Sequence, residues 1–147
     1  MQLEQIRKRY QGLQDIIGKM MWTDCCLFLV LLEIADEQDA QYNLFDVIRE
    51  ARKKEWLSED FTVRESTRIL NLLTGKEYTR EVCSPAEFSK LGKIPDDWFS
   101  VERWQRVKDD KVITHFRCRF CDTLNDSQTV KYGVLTHYYV YKIKNPA

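Results

Sequence analysis

The sequence predicts an α+β fold in one domain spanning residues 1–147, with helices in the first part and an antiparallel sheet in the second. Three observations carry this. Up to about Gly92, apolar residues recur at helical spacing between capping and stop signals. After Ile94-Pro95-Asp96-Asp97 the segments become rich in aromatic and branched residues, and apolar and polar positions begin to alternate. A length of 147 residues, 44% hydrophobic and 31% charged, suits a soluble globular chain with one core.

Each element follows from local signals. Leu3, Ile6, Tyr10, Leu13, Ile17 and Met20 predict an amphipathic helix over 3–20, weakened in its last turn by Gly18. Thr23 or Asp24 can cap a second helix from about Cys25 to Ala35. It has no polar face until Glu33, and a helix that is apolar all round is normally covered on every side. Asn43 can cap a third helix carrying Leu44, Val47, Ile48 and Ala51. A fourth covers Arg64 to Leu73, with Gly75 as its stop. Ser84-Pro85 opens a short helix that Gly92 ends. Trp98 to Val107 reads as a strand, Asp109-Asp110-Lys111 as a turn, and Val112 to Phe120 as the next strand. A short segment around Gln128 to Tyr132 and a strand from Leu135 to Ile143 complete the set. Helices followed by antiparallel strands define the α+β class.

The bulk composition excludes several functions. Lys+Arg and Asp+Glu are both 23, so the net charge is zero, which argues against nucleic-acid binding by global positive charge. A local basic patch around Arg117 and Arg119 is compatible with that balance. The longest apolar run, Cys25 to Leu32, is far shorter than the ~20 residues of a membrane span. The segment Met1-Gln2-Leu3-Glu4-Gln5-Ile6-Arg7-Lys8 has no apolar signal region. Five cysteines, an odd number not spaced as a disulfide framework, fit a reducing cytoplasm.

The candidate chemistry lies in three residue types. Cys25 and Cys26 open an apolar run; His115 sits inside the strand-like Val112-Ile113-Thr114-His115-Phe116; Asp122 follows. A thiol at a helix start, a later histidine on a strand and then an acid is the chain order of papain-like cysteine hydrolases. A helix N-terminus and a neighbouring imidazolium both favour the thiolate, which is the nucleophilic form. Cys26 or Cys25 would attack, His115 would act as base and then acid, and Asp122 would orient the imidazole. Six residues separate His115 from Asp122, so Asp126 is an alternative acid. The opposing reading is structural: buried free cysteine behaves as a small apolar residue, and His137, with no acid near it in sequence, is also read as structural. Zinc is a third possibility, because Cys118-Arg119-Phe120-Cys121 has ligand spacing with His115 upstream. There is no second such pair, and His115 and Cys118 on a regular strand face opposite sides, so no metal and no cofactor are expected.

At these residues the sequence resembles an uncharacterised family of small papain-like cysteine peptidase domains from bacterial and phage genomes. The matching stretches are Cys25-Cys26-Leu27-Phe28 running into Leu31-Leu32-Glu33-Ile34-Ala35; Glu55-Trp56-Leu57, Asp60-Phe61-Thr62-Val63 and Ile69-Leu70-Asn71; and His115-Phe116, Asp122-Thr123-Leu124 and Asp126-Ser127-Gln128-Thr129-Val130-Lys131-Tyr132-Gly133. The similarity spans roughly residues 12 to 143, and the last block is its most specific part. The resemblance implies Cys26 as nucleophile, His115 as base and Asp122 as third member. It implies a papain-like fold in which a buried nucleophile helix packs on a C-terminal antiparallel sheet. Cys25 stands where the family has Gly, and Lys19 and Met20 stand six residues before the two cysteines, where many papain-like enzymes have a Gln. The function this implies is cleavage or transfer of a peptide, isopeptide or cell-wall peptide amide bond, with a peptide or protein partner, no nucleic acid and no membrane. The alternative is an inactive papain-like fold serving as a protein-binding module.

Overall fold

A computed structural model of the chain describes residues 26–118 and 128–144, with side chains from Leu27 and, after the gap, from Thr129. The predicted helix over 3–20, and Cys25, Arg119, Phe120, Cys121, Asp122 and Asp126, lie outside the described residues. The class is α+β: helices in the first half and a four-stranded antiparallel sheet in the second. The chain divides into two compact units, Met1–Tyr78 and Thr79–Ala147.

In the first unit, α1 runs Cys26–Glu37, two residues beyond the expected end at Ala35. Phe28, Val30, Leu31, Leu32, Ile34 and Ala35 are at most 1% exposed, as an all-apolar helix requires. Each large side chain so covered contributes about 1.5–3 kcal/mol relative to exposure. Asp39 ends the helix with φ +54°, and its neighbour Ala40 donates back to Ala35 O at 3.0 Å. The helix α2, Leu44–Lys53, is capped by Asn43, whose side chain accepts from Asp46 N, and buries the expected Leu44, Val47, Ile48 and Ala51. It closes in a Schellman turn: Trp56 N donates to Ala51 O and Glu55 N to Arg52 O, with Glu55 at φ +62°. The following loop folds on itself through a Leu57–Val63 bridge and tucks in Phe61, whose ring lies 5.6 Å from that of Phe28, with the Arg52 guanidinium 4.5 Å above it. Helix α3, Ser66–Thr74, packs on α1 and α2 through Ile69, Leu70 and Leu73 and stops at Gly75, φ +71°. It starts two residues after the expected Arg64.

In the second unit the sheet order is β1-β4-β2-β3. Strand β1, Tyr78–Cys83, was not expected: only its two end residues are buried, and four exposed positions lie between. It is tied to β4, Val134–Ile143, by Lys142–Glu81 (2.5 Å) and by the Arg80 guanidinium over the Tyr139 ring. Helix α4, Pro85–Lys90, has a full Ser84/Glu87 capping box. Its Phe88 stacks on Tyr138 with centroids 3.8 Å apart, over a small core of Cys83 and Val140 flanked by Ile94 and Trp98. Strand β2, Trp98–Lys108, pairs with both β3, Lys111–Cys118, and β4. Helix α5, Gln128–Tyr132, packs on β2, β3 and β4. Gly133, which follows it, comes so close to β2 that a Cβ there would lie 2.5 Å from Gln105 O.

Candidate functional site

Cys26 is the first residue of α1, a twelve-residue helix with no acidic residue in its first turn. A helix N-terminus carries unsatisfied N–H groups and partial positive charge, and both favour a thiolate over a thiol. His115 lies in β3, within the second unit. The acids proposed to orient it, Asp122 and Asp126, are outside the described residues, as is Cys25. The described structure therefore gives the backbone position of Cys26 and the cross-strand neighbours of His115, and it does not describe the three side chains as a set.

The setting of His115 follows from the hairpin. Asp109 and Asp110 have φ +53° and +62°, the conformation of a two-residue type I′ turn. That turn fixes the register, pairing Trp104 with His115 and Glu102 with Arg117. Alternation then puts Glu102, Trp104, His115 and Arg117 on one face of the sheet. Glu102 Oε1 accepts from Trp104 Nε1 at 2.9 Å and from Arg117 Nε in an ion pair. The Arg117 guanidinium also lies 5.3 Å from the Trp104 ring centroid, within cation–π range. Glu102 is 7% exposed and Arg117 21% at the side chain, so the pair is shielded far more than a surface salt bridge. His115 is half-buried, and its Nε2 is shielded from solvent. Sequence reasoning passed over Glu102; the available signal was period-two spacing read across a correctly centred turn.

His137, read as structural, lies 3.5 Å through Nδ1 from Arg103 Nη1. Arg103 Nη1 also donates to Thr136 Oγ1, which donates in turn to Arg103 O. These bonds stand at a β-bulge, where Arg103 pairs with His137 and Trp104 with Leu135, leaving Thr136 over. The regular register puts Cys118 opposite Val101, on the other face from His115, which disfavours the two as ligands of one zinc ion. No cluster of three or more potential metal ligands occurs among the described residues. Burial pushes the Cys83 thiol up from its ordinary value, with the Glu81 and Glu87 carboxylates adding to the effect, so it is a poor nucleophile. No helix among the described residues is long and apolar enough to cross a membrane.

Compared with protein-family models, curated proteins and solved structures, the chain matches none.

Proposed function

We propose that this chain is a papain-like thiol hydrolase or transferase acting on an amide bond of a peptide or protein. The Cys26 thiolate attacks the carbonyl carbon, and the negative charge passes to the carbonyl oxygen, where N–H groups at the start of α1 are suitable donors. The imidazolium of His115 gives its proton to the leaving amine, and a thioester remains. Water, losing a proton to His115, attacks the thioester; the acid is released and Cys26 returns as thiolate. Asp122 holds the imidazole in the required tautomer.

The observation that carries this reading is that α1 opens at Cys26 with no carboxylate in its first turn. His115 in the interior of a paired strand, with its ring nitrogen shielded from water, supports it as well. A second reading, a non-catalytic papain-like fold that binds protein, is favoured by the cross-strand pairing of His115 with Trp104, which suits a structural histidine equally. Iodoacetamide labelling as a function of pH, mapped by mass spectrometry on wild type and His115→Ala, separates the two. For the hydrolase, Cys26 labels rapidly near pH 6 and loses that reactivity in the variant. Labelling of Cys26 that rises only toward the ordinary thiol range, about pH 8.5, and ignores the variant ends the hydrolase reading. Rapid labelling of Cys25 instead moves the nucleophile by one residue.

A further inference from the structure

We infer that the hollow between the end of α2 and the start of α3 is a binding site for a small organic anion carrying a planar ring and hydrogen-bond donors, the chemistry of a nucleoside monophosphate. The site lies wholly within the first unit and is independent of the hydrolase reading.

Lys54, Glu55, Trp56, Arg64, Glu65 and Arg68 line an open hollow of about 600 Å³. Pockets for small ligands measure about 300–1,000 Å³, so the space suits one such molecule. The backbone around it is tied down at both ends of the loop that follows α2. Trp56 N donates to Ala51 O at 2.8 Å, and Trp56 O accepts from Arg64 N at 2.8 Å and from Glu65 N at 3.3 Å. The Leu57–Val63 bridge closes the loop, and Arg52 Nη2 donates to Glu59 O at 3.0 Å. The stretches that carry the lining residues are fixed before any ligand arrives, which lowers the ordering cost of binding.

The lining side chains are uncommitted. Elsewhere Arg49 is paired with Asp46, Arg52 lies over the Phe61 ring and Lys142 is paired with Glu81. Lys54, Arg64 and Arg68 have no ion pair or side-chain hydrogen bond among the described residues, and neither have Glu55 and Glu65. All five are exposed, and Trp56 is half-buried.

Each group sets a requirement on the ligand. Arg64 and Arg68 present guanidinium forks that match phosphate oxygens, and Lys54 adds a point charge. The indole of Trp56 offers a flat surface for stacking a planar ring. The carboxylates of Glu55 and Glu65 accept from hydroxyl or amino groups. Three cations against two carboxylates leave an excess of one positive charge. That suits a single anionic group and not a nucleic-acid strand, which needs cations matching successive phosphates. A planar base, one phosphate and sugar hydroxyls meet every requirement in one molecule.

The test is an NMR titration of the full chain with adenosine monophosphate, read at the indole N–H signals of the four tryptophans. Trp56→Phe assigns the signal of Trp56. That signal is expected to shift and saturate with a Kd of about 1 mM or lower. Arg64→Gln and Arg68→Gln each weaken binding about tenfold, the loss of one charge-assisted contact, while Arg49→Gln, outside the hollow, leaves it unchanged. The other three indole signals check that the variants fold. On the wild type, adenosine and inorganic phosphate each lack half of the ligand and bind about tenfold more weakly or worse. No saturable shift at Trp56, or binding that ignores both arginine variants, overturns the inference. Equal affinity for adenosine or for inorganic phosphate also overturns it, because the anion or the ring then plays no part; this comparison needs no variant.

Discussion

Replacing Gly133 by alanine tests how α5 is held on the sheet. A Cβ at this position would lie 2.2 Å from Thr129 O and 2.5 Å from Gln105 O. A carbon–oxygen contact settles at about 3.3 Å, so the two obstacles must retreat by roughly 1 Å and 0.8 Å. Both are backbone atoms, so no side-chain rotation relieves them. One belongs to α5 and the other to β2, and α5 must lift or β2 must bend. Overpacking of this kind costs about 1–3 kcal/mol, and the absence of a yielding side chain puts this site near 3 kcal/mol. At a urea m-value of about 2 kcal/mol/M, the unfolding midpoint of this unit falls by roughly 1.5 M. Tryptophan fluorescence reads the transition, and hydrogen exchange of β2 and β4 amides locates it. Gly92→Ala is the control in the same unit: nothing lies within 4 Å, but φ is +67°, so its cost is left-handed strain of about 1 kcal/mol. A Gly133→Ala midpoint no lower than that of Gly92→Ala would refute the close approach of α5 to β2.

Three further outcomes are expected. Glu55→Gly at the left-handed position ending α2 stabilises the chain by about 0.5–1 kcal/mol, because the steric cost of a non-glycine residue there exceeds the entropy glycine loses; denaturant titration reads the gain. Phe88→Ala removes the stack on Tyr138 and costs about 3 kcal/mol, seen as lost amide protection in α4 and at Val140. The Ser84 backbone N–H, and then its hydroxyl, hold the Glu87 carboxyl below its ordinary 4.5. Its contribution is therefore fully present above pH 4.5 and is lost as pH falls through the lower folded value, so protection of the Ser84 amide drops in that acid window and Glu87→Gln abolishes the dependence.

Much of the architecture was legible because the signals were local. Asn43, Gly75, Ser84-Pro85 and Gly92 act on the nearest turn of backbone, so their positions in the chain are their positions in the fold. The run Phe28 to Ala35 could only be a covered helix, since no exposed face was available to it. Strand β1 was illegible because Thr79, Arg80, Glu81 and Val82 are all exposed, and what holds the strand is its pairing with β4, more than fifty residues away.

The candidate site divides in the same way. Residue order alone singled out Cys26 and His115. The neighbours of His115 were decided by register. Reading the turn as Asp109-Asp110-Lys111 begins the second strand at Val112, whereas the two left-handed aspartates make a tighter turn and bring Lys111 into the strand. Because side chains alternate with a period of two, that one residue determines which side chain of β2 stands opposite His115 and which carboxylate meets Arg117. The sequence alone determined which groups have the chemistry; hydrogen bonding between distant strands decided which of them stand side by side, since pairing energy depends on partners that no local signal contains.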